Sequence, residues 1–96
     1  MIAGTEVPYF ASEEGLTKLC AADRHYCMEP TLNDLEARLD PALFFRISRA
    51  VIVNLDSIQE VFPMPGGHAE VLLKNGTRLE VCRRRFKELM EKLEGA

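Results

Sequence analysis

Five arginines stand where a sequence built only to fill a core would not put them. In "FFRISRAVIVN" (residues 44–54), Arg46 and Arg49 interrupt a run of Phe44, Phe45, Ile47, Val51, Ile52 and Val53. In "VCRRRFKE", Arg83, Arg84 and Arg85 lead straight from a strand-like stretch into a helical pattern. A guanidinium fork matches a pair of phosphate oxygens, or O6 and N7 of guanine. The second cluster is electrostatically odd. A helix macrodipole already places partial positive charge at its start, so each cation there costs a few tenths to about 1 kcal/mol. An external phosphate would offset that cost, and free backbone N–H groups at a helix start bind anions too. The competing reading is a solvated charge run.

Cysteine and histidine offer a second chemistry. Cys20, His25 and Cys27 fall within eight residues. A structural zinc needs four ligands, however, and the other histidine, His68, belongs to a distant glycine loop. Small buried thiols in strands explain Cys20 and Cys27 better, so no metal is expected. Three cysteines without a Cys-x-x-Cys point to reduced thiols in the cytosol rather than a disulfide framework. No Gly-rich phosphate loop or nucleophile–base pair stands out, so neither catalysis nor a cofactor is expected.

The elements that must position these groups can be read from periodicity. Residues Glu6 to Glu29 read as short strands, with Pro8 at an edge or strand start, a break at Gly15 and a turn around Asp23. "TLNDLEARL" reads as a helix capped by Thr31. Asp34 stands near the capping-box position, Leu32, Leu35 and Leu39 form one stripe, and Pro41 follows. Phe44–Asn54 and "SIQEVFP" are strand-like. The alternation puts Phe45 and Ile47 on one face and Arg46 and Ser48 on the other, and breaks at Arg49-Ala50, which predicts a short bend or loop presenting Arg49 outward. "MPGGH" is a loop, and "AEVLLKNGTRLEV" a hairpin turning at Asn75-Gly76, with positive φ expected at both positions. The last segment, Arg83 to Glu94, carries Phe86, Leu89, Met90 and Leu93 on one face and a Glu88–Lys92 pair. With the helix running to the chain's last residues, this end is expected to be complete.

Length and composition set the frame. The 96 residues suffice for one domain with a modest core, residues 1–96, and 47% hydrophobic with 28% charged residues is ordinary for a globular chain. No apolar run reaches the roughly 20 residues of a membrane span, and the start lacks the pattern of a signal peptide. The net charge of −3 is unevenly spread. Residues 1–40 hold eight acids and three bases, whereas residues 46–87 hold eight bases and four acids, compatible with one basic face on an acidic body.

Together "FFRISRAVIVNLDSI" and "KNGTRLEVCRRRFKELMEKL" resemble the LytTR-type DNA-binding domain of bacterial response regulators. Phe44, Phe45, Arg46, Arg49, Val53, Asn54, Leu55, Ile58, Asn75-Gly76 and Arg83 match its pattern, and "EVPYFASEEGLTKL" and "TLNDLEARLDPALFFR" look like its opening strands and first helix. The resemblance implies a mainly β fold, an elongated arrangement of small antiparallel sheets with one internal and one C-terminal helix. It also implies sequence-specific duplex DNA binding for transcriptional regulation, as the C-terminal output domain behind a receiver or sensor domain. Such domains work as dimers on tandem sites and use loops rather than a recognition helix.

Carried over by position, the resemblance implies that the loop at Leu16-Thr17-Lys18, the bend at Arg49 and the helix start at Arg83 face DNA. Arg49 and Arg83 then reach bases. Arg84, Arg85 and Lys18 hold phosphates, Thr17 contacts either, and Arg46 braces its strand or touches a phosphate. Asn54 ties down the following turn. Three positions depart from the pattern: Ser48 replaces a histidine, Ala50 a serine and Cys82 a serine. Nearby cations favour the thiolate of Cys82, which raises a redox-sensitive contact as an alternative to plain replacement. The acids Glu13-Glu14 would repel phosphate unless turned away. The rival function is a protein-interaction module of the same fold without DNA binding. Salt dependence of duplex binding separates the two.

Overall fold

Short runs of β-branched and aromatic residues, cut by turns, become eight strands and two helices in the computed structural model, which describes residues 7–21 and 24–95. In chain order these are β1 (Tyr9–Glu13), β2 (Leu16–Ala21), β3 (Arg24–Met28), α1 (Leu32–Arg38), β4 (Phe44–Ser48), β5 (Val51–Asn54), a 3-10 turn (Leu55–Ser57), β6 (Ile58–Pro63), β7 (Ala69–Leu73), β8 (Arg78–Val81) and α2 (Arg83–Glu94). They form an antiparallel five-stranded sheet, ordered β3-β2-β1-β5-β4, and an antiparallel three-stranded sheet, β6-β7-β8. This is the mainly β architecture with one internal and one terminal helix that the sequence predicts. The turn expected around Asp23, and Glu6, lie outside the described residues.

The five-stranded sheet separates two cores. Val7, Phe10, Phe44 and Ile52 pack on Leu32 and Leu35 of α1, with the Phe10 and Phe44 rings 5.8 Å apart. On the other face Phe45, Ile47 and Val53 meet Ala69, Val71, Leu73 and Val81 of the second sheet and Leu89 of α2. The strand period of two thus assigns Phe44 and Phe45 to different cores. Leu89 is fully buried and contributes roughly 2 kcal/mol relative to an exposed side chain.

Pro8 stands at a strand start and not an edge, because β1 is the middle strand of its sheet. Asn54 secures that start. Its N–H donates to Pro8 O (2.8 Å) and its Nδ2 to Val7 O (3.1 Å), while its Oδ1 accepts from Asp56 N (2.9 Å) and caps the 3-10 turn. At α1 both halves of the capping box form: Asp34 N donates to Thr31 Oγ1 (3.1 Å) and Thr31 N to Asp34 Oδ2 (3.2 Å).

Phe44–Asn54 folds as a hairpin, β4–β5, whose turn falls at the expected break, Arg49-Ala50, with a register shift between Arg46 and Ser48. Two local expectations change. The β7–β8 loop has three residues, Lys74 to Gly76. Only Gly76 (φ 93°) is left-handed, Gly76 N donates to Leu73 O, and Asn75 instead accepts from Thr77 N, the arrangement of a type I turn closed by a glycine bulge. Nor is the Glu88–Lys92 pair made. Glu88 turns back to Arg85 (3.7 Å), and Lys92 donates to Pro41 O (3.2 Å), a main-chain acceptor that ties α2 to the segment before β4.

Candidate nucleic-acid interface

Main-chain hydrogen bonds bring three segments to one end of the five-stranded sheet. Ser12 N donates to Ala50 O (2.8 Å), seating the β4–β5 turn beside the β1–β2 hairpin, whose tip is Glu14-Gly15 with both residues left-handed. Cys82 N donates to Ile47 O (2.9 Å), docking the start of α2 on β4. Sequence-distant arginines therefore meet. A cleft of about 470 Å³ is lined by Arg46, Arg49, Arg84 and Arg85, with Ser48, Cys82 and the single acid Glu88.

The helix start supplies more positive potential. No side chain caps α2 and no acid stands in its first turn, so its partial positive charge is not offset there, although Arg85 N already donates to Cys82 O (3.0 Å). Arg49 and Arg84 are exposed, and among the described residues no carboxylate lies within ion-pair distance of Arg49, Arg83 or Arg84. Glu36 and Glu88 balance Arg46 and Arg85, which leaves the charges of Arg49 and Arg84 for a polyanion to offset.

The other predicted residues are placed differently. Arg83 lies outside the cleft lining and runs over Gly67 of the β6–β7 loop, where a Cβ would meet its Nε at 3.1 Å. Leu16–Lys18, expected as a loop, is the first half of β2. Thr17 is only 6% exposed there, on the opposite face of the strand from Lys18, with Ser12 and Met28 as its cross-strand partners. Lys18 is engaged by Glu13 (3.2 Å), and that hydrogen bond and charge hold its ammonium above the usual lysine range. One of the two feared acids thus turns onto a base.

Arg46 is the most constrained. Its Nε donates to Ser48 O (3.2 Å) and Nη2 to Arg49 O (2.7 Å), while Nη1 donates to Asn33 Oδ1 and to Glu36 Oε1 (3.2 Å). Asn33 and Glu36 were not among the residues singled out from the sequence. They sit on the polar side of a helix, and only the packing of α1 on the sheet brings them to β4. The other candidate chemistries stay apart. Cys20 is buried opposite His25, its thiol pushed up by burial, while Cys27 is exposed. Among the described residues no three His, Cys, Asp or Glu side chains gather to hold a metal, and no helix is long and apolar enough to cross a membrane.

Comparison with known proteins gives consistent results. A family model described as the LytTr DNA-binding domain matches residues 1–94. Sensory transduction protein LytT of Enterococcus faecalis is 32% identical over 93 residues, covering 97% of this chain and 38% of that protein. Transcriptional regulatory protein LytR of Staphylococcus aureus (strain MW2) is 34% identical over 77 residues, covering 80% and 31%. Among solved structures, a LytTr DNA-binding domain from Bacillus cereus superposes with a TM-score of 0.89 over 96% of this chain and 84% of that one, at 22% identity, a likeness of fold. The chain spans less than two fifths of the length of these two regulators.

Proposed function

The chain belongs to the LytTr DNA-binding domain family, and from that membership we propose that it binds duplex DNA sequence-specifically as the output domain of a longer transcriptional regulator. The observation that carries this reading is the cleft where the β4–β5 turn and the uncapped start of α2 bring four guanidiniums together. Arg49, on an exposed turn without a carboxylate partner, is the residue proposed to reach a base edge, with Arg83 as the second. Arg84 and Arg85 hold phosphates at the helix start. Lys18 joins them by exchanging Glu13 for a phosphate oxygen. Thr17 acts by supporting the β2 strand that bears Lys18, because its burial leaves little of it for a direct contact.

In the longer protein a receiver or sensor domain precedes this one, a cytoplasmic setting follows, and two copies occupy tandem sites. No catalytic step is assigned to the domain. The test is selection from a random duplex library by the wild type and by an Arg49→Ala/Arg83→Ala variant in parallel. A repeated motif enriched by the wild type alone supports sequence-specific regulation. If the wild type enriches nothing at low salt, the DNA reading fails and a protein-binding module takes its place.

A further inference from the structure

Every donor nitrogen of Arg46 is committed to a protein acceptor, and the side chain is only 15% exposed. Two of its acceptors, Ser48 O and Arg49 O, are main-chain carbonyls of the turn that bears Arg49. The other two, on Asn33 and Glu36, belong to α1. The Ser12 N–Ala50 O bond ties this turn to β1, but the β4–β5 ladder beside it is irregular. Register shifts between Arg46 and Ser48, and such an irregularity re-aims the residues beside it. A planar guanidinium with donors in fixed directions can span the turn and the helix together, whereas a lysine ammonium offers one point charge.

We propose that Arg46, Asn33 and Glu36 are positioning residues for DNA reading: α1 holds the Arg46 fork, and the fork fixes the direction in which Arg49 leaves its turn. This makes α1 a specificity-determining element that touches no base. The inference rests on the DNA-binding reading above. It also separates Arg46 from the phosphate-contacting arginines, since turning it toward a phosphate would abandon four acceptors and leave the Glu36 carboxylate beside the polyanion.

The test uses a duplex enriched by the wild-type chain, with a scrambled duplex of equal length as control. Glu36→Ala weakens binding to the enriched duplex about fivefold, one hydrogen bond's worth, and leaves the scrambled duplex and the salt slope unchanged. Electrostatics alone predicts the opposite sign, because deleting a negative charge favours both duplexes. Asn33→Ala/Glu36→Ala weakens specific binding further, and repeated selection with this variant loses preference at the same base positions as Arg49→Ala. Arg46→Lys keeps the charge yet loses specific binding, whereas a phosphate contact would survive it. Positions 33 and 36 are exposed, so thermal unfolding reports these variants folded. Unchanged or tighter binding of the enriched duplex by Glu36→Ala, with Arg49→Ala still weak, overturns the inference and leaves the DNA reading intact. A wild-type chain that enriches no motif overturns the DNA reading, and the inference with it.

Discussion

Replacing Arg49 by alanine is expected to weaken binding of the enriched duplex by about 1–3 kcal/mol, or about five- to 150-fold, with preference relaxed at one base position in a competition assay. The exposed place of Arg49 at a turn was legible, because an arginine at the break of a strand pattern has no core to serve. Arg46, three positions earlier, was expected to brace its strand or touch a phosphate, and its contacts are to protein acceptors. Nothing in residue type separates the two. The difference comes from the half-buried setting of one and the exposed turn of the other. Tyr9 gives a pH prediction at this scale. Burial first, and the neighbouring Cys20 next, push its phenol up to about 12. On unfolding it would ionise at about 10, so its contribution to stability is full below that pH and is lost as pH rises toward 12. Denaturant titrations should show wild-type stability falling more steeply than that of Tyr9→Phe across this window.

Among the elements, α1 owes its start to the reciprocal capping bonds of Thr31 and Asp34. Thr31→Ala should cost about 1 kcal/mol, a fall of roughly 4–8 °C in melting temperature for a domain of this size, measurable by circular dichroism. The box was visible from composition even though aspartate takes the place usually held by glutamate. Helix α2 and the β7–β8 hairpin were equally visible from periodicity and Asn75-Gly76. The three-residue loop there was not, because loop length depends on which residues close the ladder. The β6–β7 loop carries another prediction. Gly67 combines φ of 91° with Arg83 pressed against it, so Gly67→Ala forces a left-handed alanine and displaces that side chain. A loss of at least about 1 kcal/mol of stability is expected in urea titrations, together with weaker duplex binding if Arg83 reads a base.

For the whole molecule, salt is the decisive variable. If Lys18, Arg84 and Arg85 are the phosphate contacts, log affinity against log salt should have a slope of about −3, at about 0.9 per neutralised phosphate. A flat plot by fluorescence anisotropy would instead mean that the basic cleft serves another partner. The net charge of −3 gave no hint of this, because compaction collects the bases and leaves acids such as Glu60 and Glu80 exposed elsewhere. At 35 × 25 × 24 Å the described residues extend further along one axis, while a radius of gyration of 12.6 Å is ordinary for a folded domain of this length. That packing folds distant segments onto one end. Strand order was beyond periodicity: no local pattern says that β1 lies between β2 and β5, or that α1 reaches Arg46.

The central place of β1 also has a mechanical side. Whatever is joined ahead of Val7 pulls along a strand flanked on both sides, with Asn54 clamping its first residues. Ladder hydrogen bonds run across the strands, so such a load shears many of them together rather than peeling them one at a time. A load from that side would meet both neighbouring strands at once, and the same strand carries Ser12, which is bonded to the turn that bears Arg49.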